Sequence, residues 1–319
     1  VEKVHRLLLD NLPIKTNRTP SGWNTMDCPM CTDKRKRGGL ISTGAKISYN
    51  CFNCGFTTGW EPNPVLGKKY KELATTLGAS TQDIHKVTVD LLKYAENLEA
   101  ESTSDYVYNL AKFNKVELPD NVIAVDDLQE EHPVKQYAKQ RGLLGLYPLL
   151  YFEDKLYKQR LVVPFTYNSE LVGWTGRHIS PPNKQTPKYL HNMQPGYVFN
   201  IDRFADSKRD IVVVTEGVFD AILIDGIAIQ GNSVGPEQAH LIEKLGKRII
   251  VCPDRDDAGI ELMMQAAELG WEVSFPPWSA EIKDAADAVI KYGRLATLNS
   301  IIKHATNNKL KIEVKAKMI

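Results

Sequence analysis

Two CxxC pairs, Cys28-Pro29-Met30-Cys31 and Cys51-Phe52-Asn53-Cys54, constrain this chain more than any other feature. Nineteen residues separate them, a spacing that suits a four-cysteine zinc ribbon. Thiolates from two tight turns can surround Zn²⁺ tetrahedrally and leave no open position for a catalytic water, so the expected metal is structural. A ribbon alone buries too little apolar surface to fold, and structural zinc supplies roughly 10–16 kcal/mol of apparent binding energy. The remaining cysteine, Cys252, falls in a predicted strand and reads as an inert core thiol. The seven histidines show no ligand spacing with the cysteines, which argues against a Cys/His finger. CxxC pairs in a long chain favour metal over disulfides and point to a reducing, cytoplasmic compartment.

The formal net charge of +1 conceals segregation. Residues 1–60 hold nine Lys/Arg against four Asp/Glu, whereas 96–131 hold ten acidic residues against two basic ones. Lys34, Arg35, Lys36 and Arg37 lie between the cysteine pairs, with Trp23, Tyr49, Phe52, Phe56 and Trp60 around them. Positive charge attracts a nucleic-acid backbone, and a free aromatic face offers about 1–3 kcal/mol of stacking per base. Some of these rings must form the ribbon's own core. No apolar run reaches membrane-span length, the opening VEKVHRLLLDNLP does not read as a signal peptide, and no GxxxxGK[ST] loop marks a helicase motor.

Beyond residue 209 the pattern alternates strand and helix. Apolar runs at 211–214, 227–230 and 248–252, with 273–275 extended, are separated by helical segments at 219–224, 237–245 and 258–269 and followed by another at 285–292. This predicts an α/β fold with a largely parallel sheet and flanking helices. Three acidic motifs stand where the chain leaves a strand: Glu216 with Asp220 in TEGVFDA, Asp254 with Asp256 in PDRDDAG, and Asp284 with Asp287 in KDAADAV. Ligands of open α/β sheets bind beyond the carboxyl ends of strands, so these motifs can converge. Gathered carboxylates repel, and protonation, pairing or a divalent cation must relieve them. An all-oxygen donor set favours Mg²⁺ or Mn²⁺, and phosphoryl transfer is the chemistry it serves.

These residues resemble the TOPRIM domain shared by primases, topoisomerases and some nucleases. Glu216-Gly217-Val218-Phe219-Asp220 is similar to its glutamate motif and Asp254-Arg255-Asp256-Asp257-Ala258-Gly259 to its DxD motif, with the small-residue turn Asn232-Ser233-Val234-Gly235 between them. Arg160-Leu161-Val162-Val163-Pro164-Phe165, then Gly176-Arg177, then Pro187-Lys188-Tyr189-Leu190 resemble the RNA-polymerase domain of DnaG-type DNA primases, and the compact KDAADAV looks phage-like. The sequence departs from the family at His191, where Asn is common, and at Asp284-Ala-Ala-Asp287, where bacterial members have Asp-Pro-Asp.

The resemblance implies a zinc ribbon that binds DNA at 1–62, a helical and acidic linker at 63–131, and the amino-terminal part of an RNA-polymerase domain at 132–208. A TOPRIM domain at 209–293 and a C-terminal helix and basic tail at 294–319 complete it; KLKIEVKAKMI reads as a final strand or docking peptide. It implies that Asp254, Asp256 and Asp284 hold Mg²⁺, that Glu216 assists metal binding or proton transfer, and that Asp220 supports that corner. Arg160, Arg177 and Lys188 would line the path of template or nucleotide phosphates, Arg as a bidentate fork and Lys as a point charge. The implied activity is RNA primer synthesis from ribonucleoside triphosphates on single-stranded DNA, in the cytoplasm of the cell or of a viral host. A replicative helicase and a single-stranded DNA-binding protein would be partners. The competing expectations are a TOPRIM nuclease using the same acids and a noncatalytic DNA-binding accessory.

Overall fold

The computed structural model describes residues 1–31, 33–63, 65–101, 113–181, 186–205 and 207–318, without the side chains of 95–101. The chain divides into two units, Val1–Leu110 and Ala111–Ile319.

In the first unit, helix α1 (Glu2–Leu9) precedes five strands: β1 (Asn17–Arg18), β2 (Asn24–Met26), β3 (Gly38–Thr43), β4 (Lys46–Cys51) and β5 (Thr57–Trp60). They pair antiparallel in sequence order. In β4, Ile47, Tyr49 and Cys51 alternate inward, as strand periodicity requires. Helices α2 (Lys68–Leu77) and α3 (Thr81–Glu101) follow, the second started by Ser80, whose hydroxyl accepts from Asp83 N–H at 3.0 Å. One core runs through all of these elements except the exposed β1, from Val4, Leu7 and Leu8 through Met26, Leu40 and Tyr49 to Leu73, Ile84 and Leu91. Tyr70 is fully buried, with its hydroxyl on Val4 O at 2.9 Å. The helical first half of the segment 63–131 supplies apolar surface that the ribbon lacks. Residues 122–131 belong to the second unit, as strand β6 (Val122–Ala124) and a 3₁₀ turn at Val125–Asp127.

The second unit contains two five-stranded sheets. Helix α4 (Pro133–Gln140) is followed by β7 (Leu150–Phe152), β8 (Arg160–Tyr167), β9 (Glu170–His178) and β10 (Tyr189–Asn192). These strands make an antiparallel sheet ordered β10-β9-β8-β7-β6. Next come α5 (Asp202–Ala205), β11 (Ile211–Thr215), α6 (Val218–Ile224), β12 (Ile227–Ala228), α7 (Pro236–Lys244), β13 (Arg248–Val251), α8 (Asp257–Leu269), β14 (Glu272–Ser274), α9 (Ala285–Tyr292), α10 (Arg294–Lys303), β15 (Ala305–Thr306) and α11 (Lys309–Ala316). The second sheet is ordered β12-β11-β13-β14-β15, parallel except for the antiparallel edge strand β15. A shared core of Leu161, Val163 and Phe165 with Phe199, Phe219 and Ile222 joins the antiparallel strands to α6.

The tail departs from the sequence expectation. KLKIEVKA alternates like a strand, yet it folds as α11, because Ile312 and Ala316 share a helical face and bury it, and Asn308 caps its start on Lys311 N–H at 3.0 Å. Among the described residues, no helix is long and apolar enough to cross a membrane.

Candidate active site and metal centre

In the first unit the sulfurs of Cys28, Cys31, Cys51 and Cys54 all lie within 4.8 Å of one another, with Cys28 and Cys54 at 3.9 Å. A tetrahedral Zn–S length of about 2.3 Å gives sulfurs about 3.8 Å apart, so the tetrad fits zinc. The turns aim hydrogen bonds at the sulfurs. Met30 N–H donates to Cys28 and Asn53 N–H to Cys51, each at 3.4 Å, and Tyr49 hydroxyl reaches Cys28 at 3.1 Å. Burial pushes the Cys28 thiol up to about 12, while the Asp33 N–H and the Asn53 side chain draw Cys31 down to about 7. Ligation to a metal requires both as thiolates.

The basic tetrapeptide beside this tetrad is only partly available. Arg37 and Arg35 engage the buried Asp33 at 2.8 and 3.3 Å, pulling its carboxyl down to about 2, and Lys36 Nζ donates to Asn17 at 3.1 Å. Lys34 is exposed. Of the surrounding rings, Tyr49 and Trp60 are core, whereas Phe52 is 78% exposed at the cysteine turn.

In the second unit, Glu216, Asp220, Asp254 and Asp284 line one cleft of about 320 Å³, with Arg141, Arg177, Lys188, Tyr189 and His191 along it as well. The acids arrive from three strand exits. Glu216 follows β11, and its Oε1 accepts from Asp254 N–H at 3.0 Å, beyond the end of β13. Asp220 sits in the first turn of α6, almost fully buried, and accepts from Ala286 N–H at 2.8 Å, fixing the start of α9. Asp284 caps that helix on Asp287 N–H at 2.7 Å. Gly259 lets this corner close: a Cβ there would stand 2.1 Å from Asp254 O and 3.2 Å from Glu216 Oε1.

Burial foremost, reinforced by neighbouring carboxylates, raises Glu216, Asp220 and Asp284 above the ordinary carboxyl range and Asp254 to about 8. Such a site favours protons or a cation. Among the described residues, the cysteine tetrad is the one group of three or more His, Cys, Asp or Glu side chains gathered tightly enough for an ion. The acidic cleft offers the all-oxygen donor set that hard divalent cations take.

Two predicted site residues are placed differently. Asp256 is exposed and caps α8, accepting from Gly259 N–H at 3.0 Å, rather than lining the cleft. Arg160 is 3% exposed, and its guanidinium donates to the carbonyls of Gly176 and Pro187 at 3.0 Å, Leu156 at 3.3 Å and Lys188 at 3.5 Å. Placed so, it holds the segment that carries Lys188 into β10. Arg177 lies over the Tyr189 ring, 4.9 Å from its centroid, and Tyr189 stacks on His191 at 5.6 Å. His191 Nδ1 meets Thr175 Oγ1 at 3.0 Å.

Arg141, Gln230 and Arg255 were not singled out from sequence. Arg141 ends α4 over Tyr137, a basic helix terminus that a charge-pattern search marks. Arg255 donates to the carbonyls of Trp278 at 3.1 Å and Ser279 and Ile282 at 3.3 Å, anchoring the loop that delivers Asp284. Its guanidinium also lies over the Trp278 ring, 5.4 Å from the centroid; its hydrogen bonds go to backbone carbonyls, which leave no residue pattern in the sequence.

The Toprim-like family matches residues 213–289. The DNA primase of Enterococcus faecalis is 29% identical over 174 residues, covering 46% of this chain and 27% of that protein. The DNA primase of Aquifex aeolicus is 25% identical over 295 residues, covering 78% of this chain and 58% of that protein. The chain thus spans less than two thirds of either relative. The RNA polymerase domain of Mycobacterium tuberculosis primase DnaG, solved with a double-stranded DNA oligomer, superposes with a TM-score of 0.49 at 18% identity, covering 60% of this chain and 79% of that one. The chain thus carries a Toprim-like domain and is similar in sequence to bacterial DNA primases.

Proposed function

We propose that this chain copies single-stranded DNA into short RNA primers by joining ribonucleoside triphosphates. The observation that carries this reading is the meeting of Glu216, Asp220, Asp254 and Asp284 in one cleft beside Arg141, Arg177 and Lys188, within a Toprim-type domain. In the reaction, a 3′-hydroxyl oxygen bonds to the α-phosphorus of the next nucleotide, the α–β bridging P–O bond breaks, and pyrophosphate leaves. Asp254, Asp284 and Glu216 would hold Mg²⁺, or Mn²⁺ in its place, with Asp256 joining after rotation from its capping position. The cation, when bound, polarises the phosphate and steadies the leaving charge. Glu216 would assist metal binding or receive the proton of the attacking hydroxyl. Asp220 is a positioning residue, acting through α9 and Asp284. Arg141, Arg177 and Lys188 draw phosphates towards the acids and offset their charge.

The cysteine tetrad takes Zn²⁺ as a structural ion. Lys34, Arg35 and Phe52 are exposed side chains of the ribbon that would engage template, while Lys36 and Arg37 are partly buried and have protein partners. A replicative helicase and a single-stranded DNA-binding protein would supply unwound template.

Incubation with single-stranded templates, labelled ribonucleotides and Mg²⁺ tests the reading. Short, template-dependent RNA that disappears with Asp254→Ala supports it. Cleaved DNA without RNA across varied templates would transfer the site to nuclease chemistry.

A further inference from the structure

Two nitrogens of the acidic cleft's lining residues are buried without a hydrogen-bond partner: Nε of Arg177 and Nε2 of Gln230. Gln230 is unusual in a second respect. Its φ is +57°, the left-handed region that a residue with a Cβ adopts at a cost. The surrounding chain imposes this conformation. Ile229 N–H donates to Thr215 O at 3.1 Å and Gln230 N–H to Glu216 O at 2.9 Å, extending the β11–β12 pairing to the residue beside the acidic corner. Gln238 Nε2 then holds Ile229 O at 2.9 Å from below. Beyond this point the site is open, since a Cβ on Gly231 would meet nothing within 4 Å.

A side chain that is unsatisfied on a strained backbone, at the rim of a cleft, is a mark of a ligand position. Both orphan atoms are N–H donors, so they call for an acceptor. Gln230 is neutral and sits next to Glu216, where a positive side chain would pair with that carboxylate. An amide there can donate to an anionic oxygen and leave the carboxylate available. We propose that Gln230 and Arg177 together grip phosphate oxygens of the incoming nucleotide's polyphosphate, making Gln230 a substrate-positioning residue. The inference deepens the priming reading and rests on it.

The test compares wild type with Gln230→Gly and Gln230→Leu for binding of Mg–ATP, inorganic tripolyphosphate and adenosine, with melting temperature as a second readout. Loss of one hydrogen bond to a charged group predicts about tenfold weaker binding of both ATP and tripolyphosphate. Adenosine binding should be unchanged, and Gln230→Gly should melt at or above the wild-type temperature because the strain is relieved. Steady-state priming should show the change in KM for nucleotide with kcat less affected. Unaltered tripolyphosphate binding in both variants overturns the inference, as does a loss confined to ATP, which would put the contact on sugar or base. Wild-type protein that binds nucleotide yet makes no RNA would sink the priming reading while leaving the phosphate grip measurable. Wild-type protein that binds none of the three ligands sinks both.

Discussion

The backbone N–H of Asp254 donates to Oε1 of Glu216 at 3.0 Å, although the two lie 38 positions apart in sequence. Parallel pairing of β11 with β13 makes this possible, because adjacent strands end at the same edge and deliver their next residues to one corner. One acid therefore shapes the loop of another while both face the cleft.

This bond separates two functions of Glu216. Glu216→Gln keeps an acceptor for Asp254 N–H but removes the charge. Primer synthesis should fall by about 10²-fold or more with little change in melting temperature. Glu216→Ala should lose activity and also lower the melting temperature. Equal activity in wild type and Glu216→Gln would remove this carboxylate from the chemistry.

The acids also tie stability to pH. Their folded-state pKa values are raised, that of Asp254 to about 8, by burial first and by neighbouring carboxylates second. A raised value contributes stability that is complete below the ordinary carboxyl pKa and lost as pH climbs through the raised one. In a chelator the melting temperature of the second unit should decline from the ordinary value of 3.8 upward to about 8. Excess Mg²⁺ should flatten that decline. Melts across this range in both buffers check the sign.

Arg160 should behave as a structural residue. Four carbonyls depend on its guanidinium, so Arg160→Met should cost about 2 kcal/mol or more and displace the segment carrying Lys188. Arg160→Lys should recover little, because an ammonium cannot reproduce the fork. Denaturant titration of the three proteins reads the effect.

Zinc removal should act locally. The core of the first unit extends through α1, α2 and α3, so chelation should loosen the cysteine turns and leave most helical circular dichroism in place. Cys28→Ser should then impair template-directed initiation more than extension of a supplied primer. Hydrogen exchange of 27–37 and 51–56 against 68–91 follows the structural part. Equal losses of initiation and extension would contradict the division of labour.

The strand–helix alternation after residue 209 was legible because each buried parallel strand is a short apolar run, as at Ile211–Thr215 and Arg248–Val251. The convergence of acids could be anticipated from strand exits alone. Arg160 is ambiguous in sequence because an arginine opening a strand looks the same whether it faces phosphate or carbonyl. Arg255 and Gln230 leave no residue pattern in the sequence, because the hydrogen bonds of Arg255 go to backbone carbonyls and Gln230 is placed by the backbone N–H it donates to Glu216 O. The tail misled because two-residue alternation and an i,i+4 apolar pair coexist in KLKIEVKA.

The central claim is that Glu216, Asp254 and Asp284 share one divalent cation. Anomalous diffraction from crystals soaked in Mn²⁺ tests it most directly. The account predicts a manganese peak within coordination distance of the Asp254 carboxylate, lost in Asp254→Asn; manganese bound only elsewhere on the protein would contradict it.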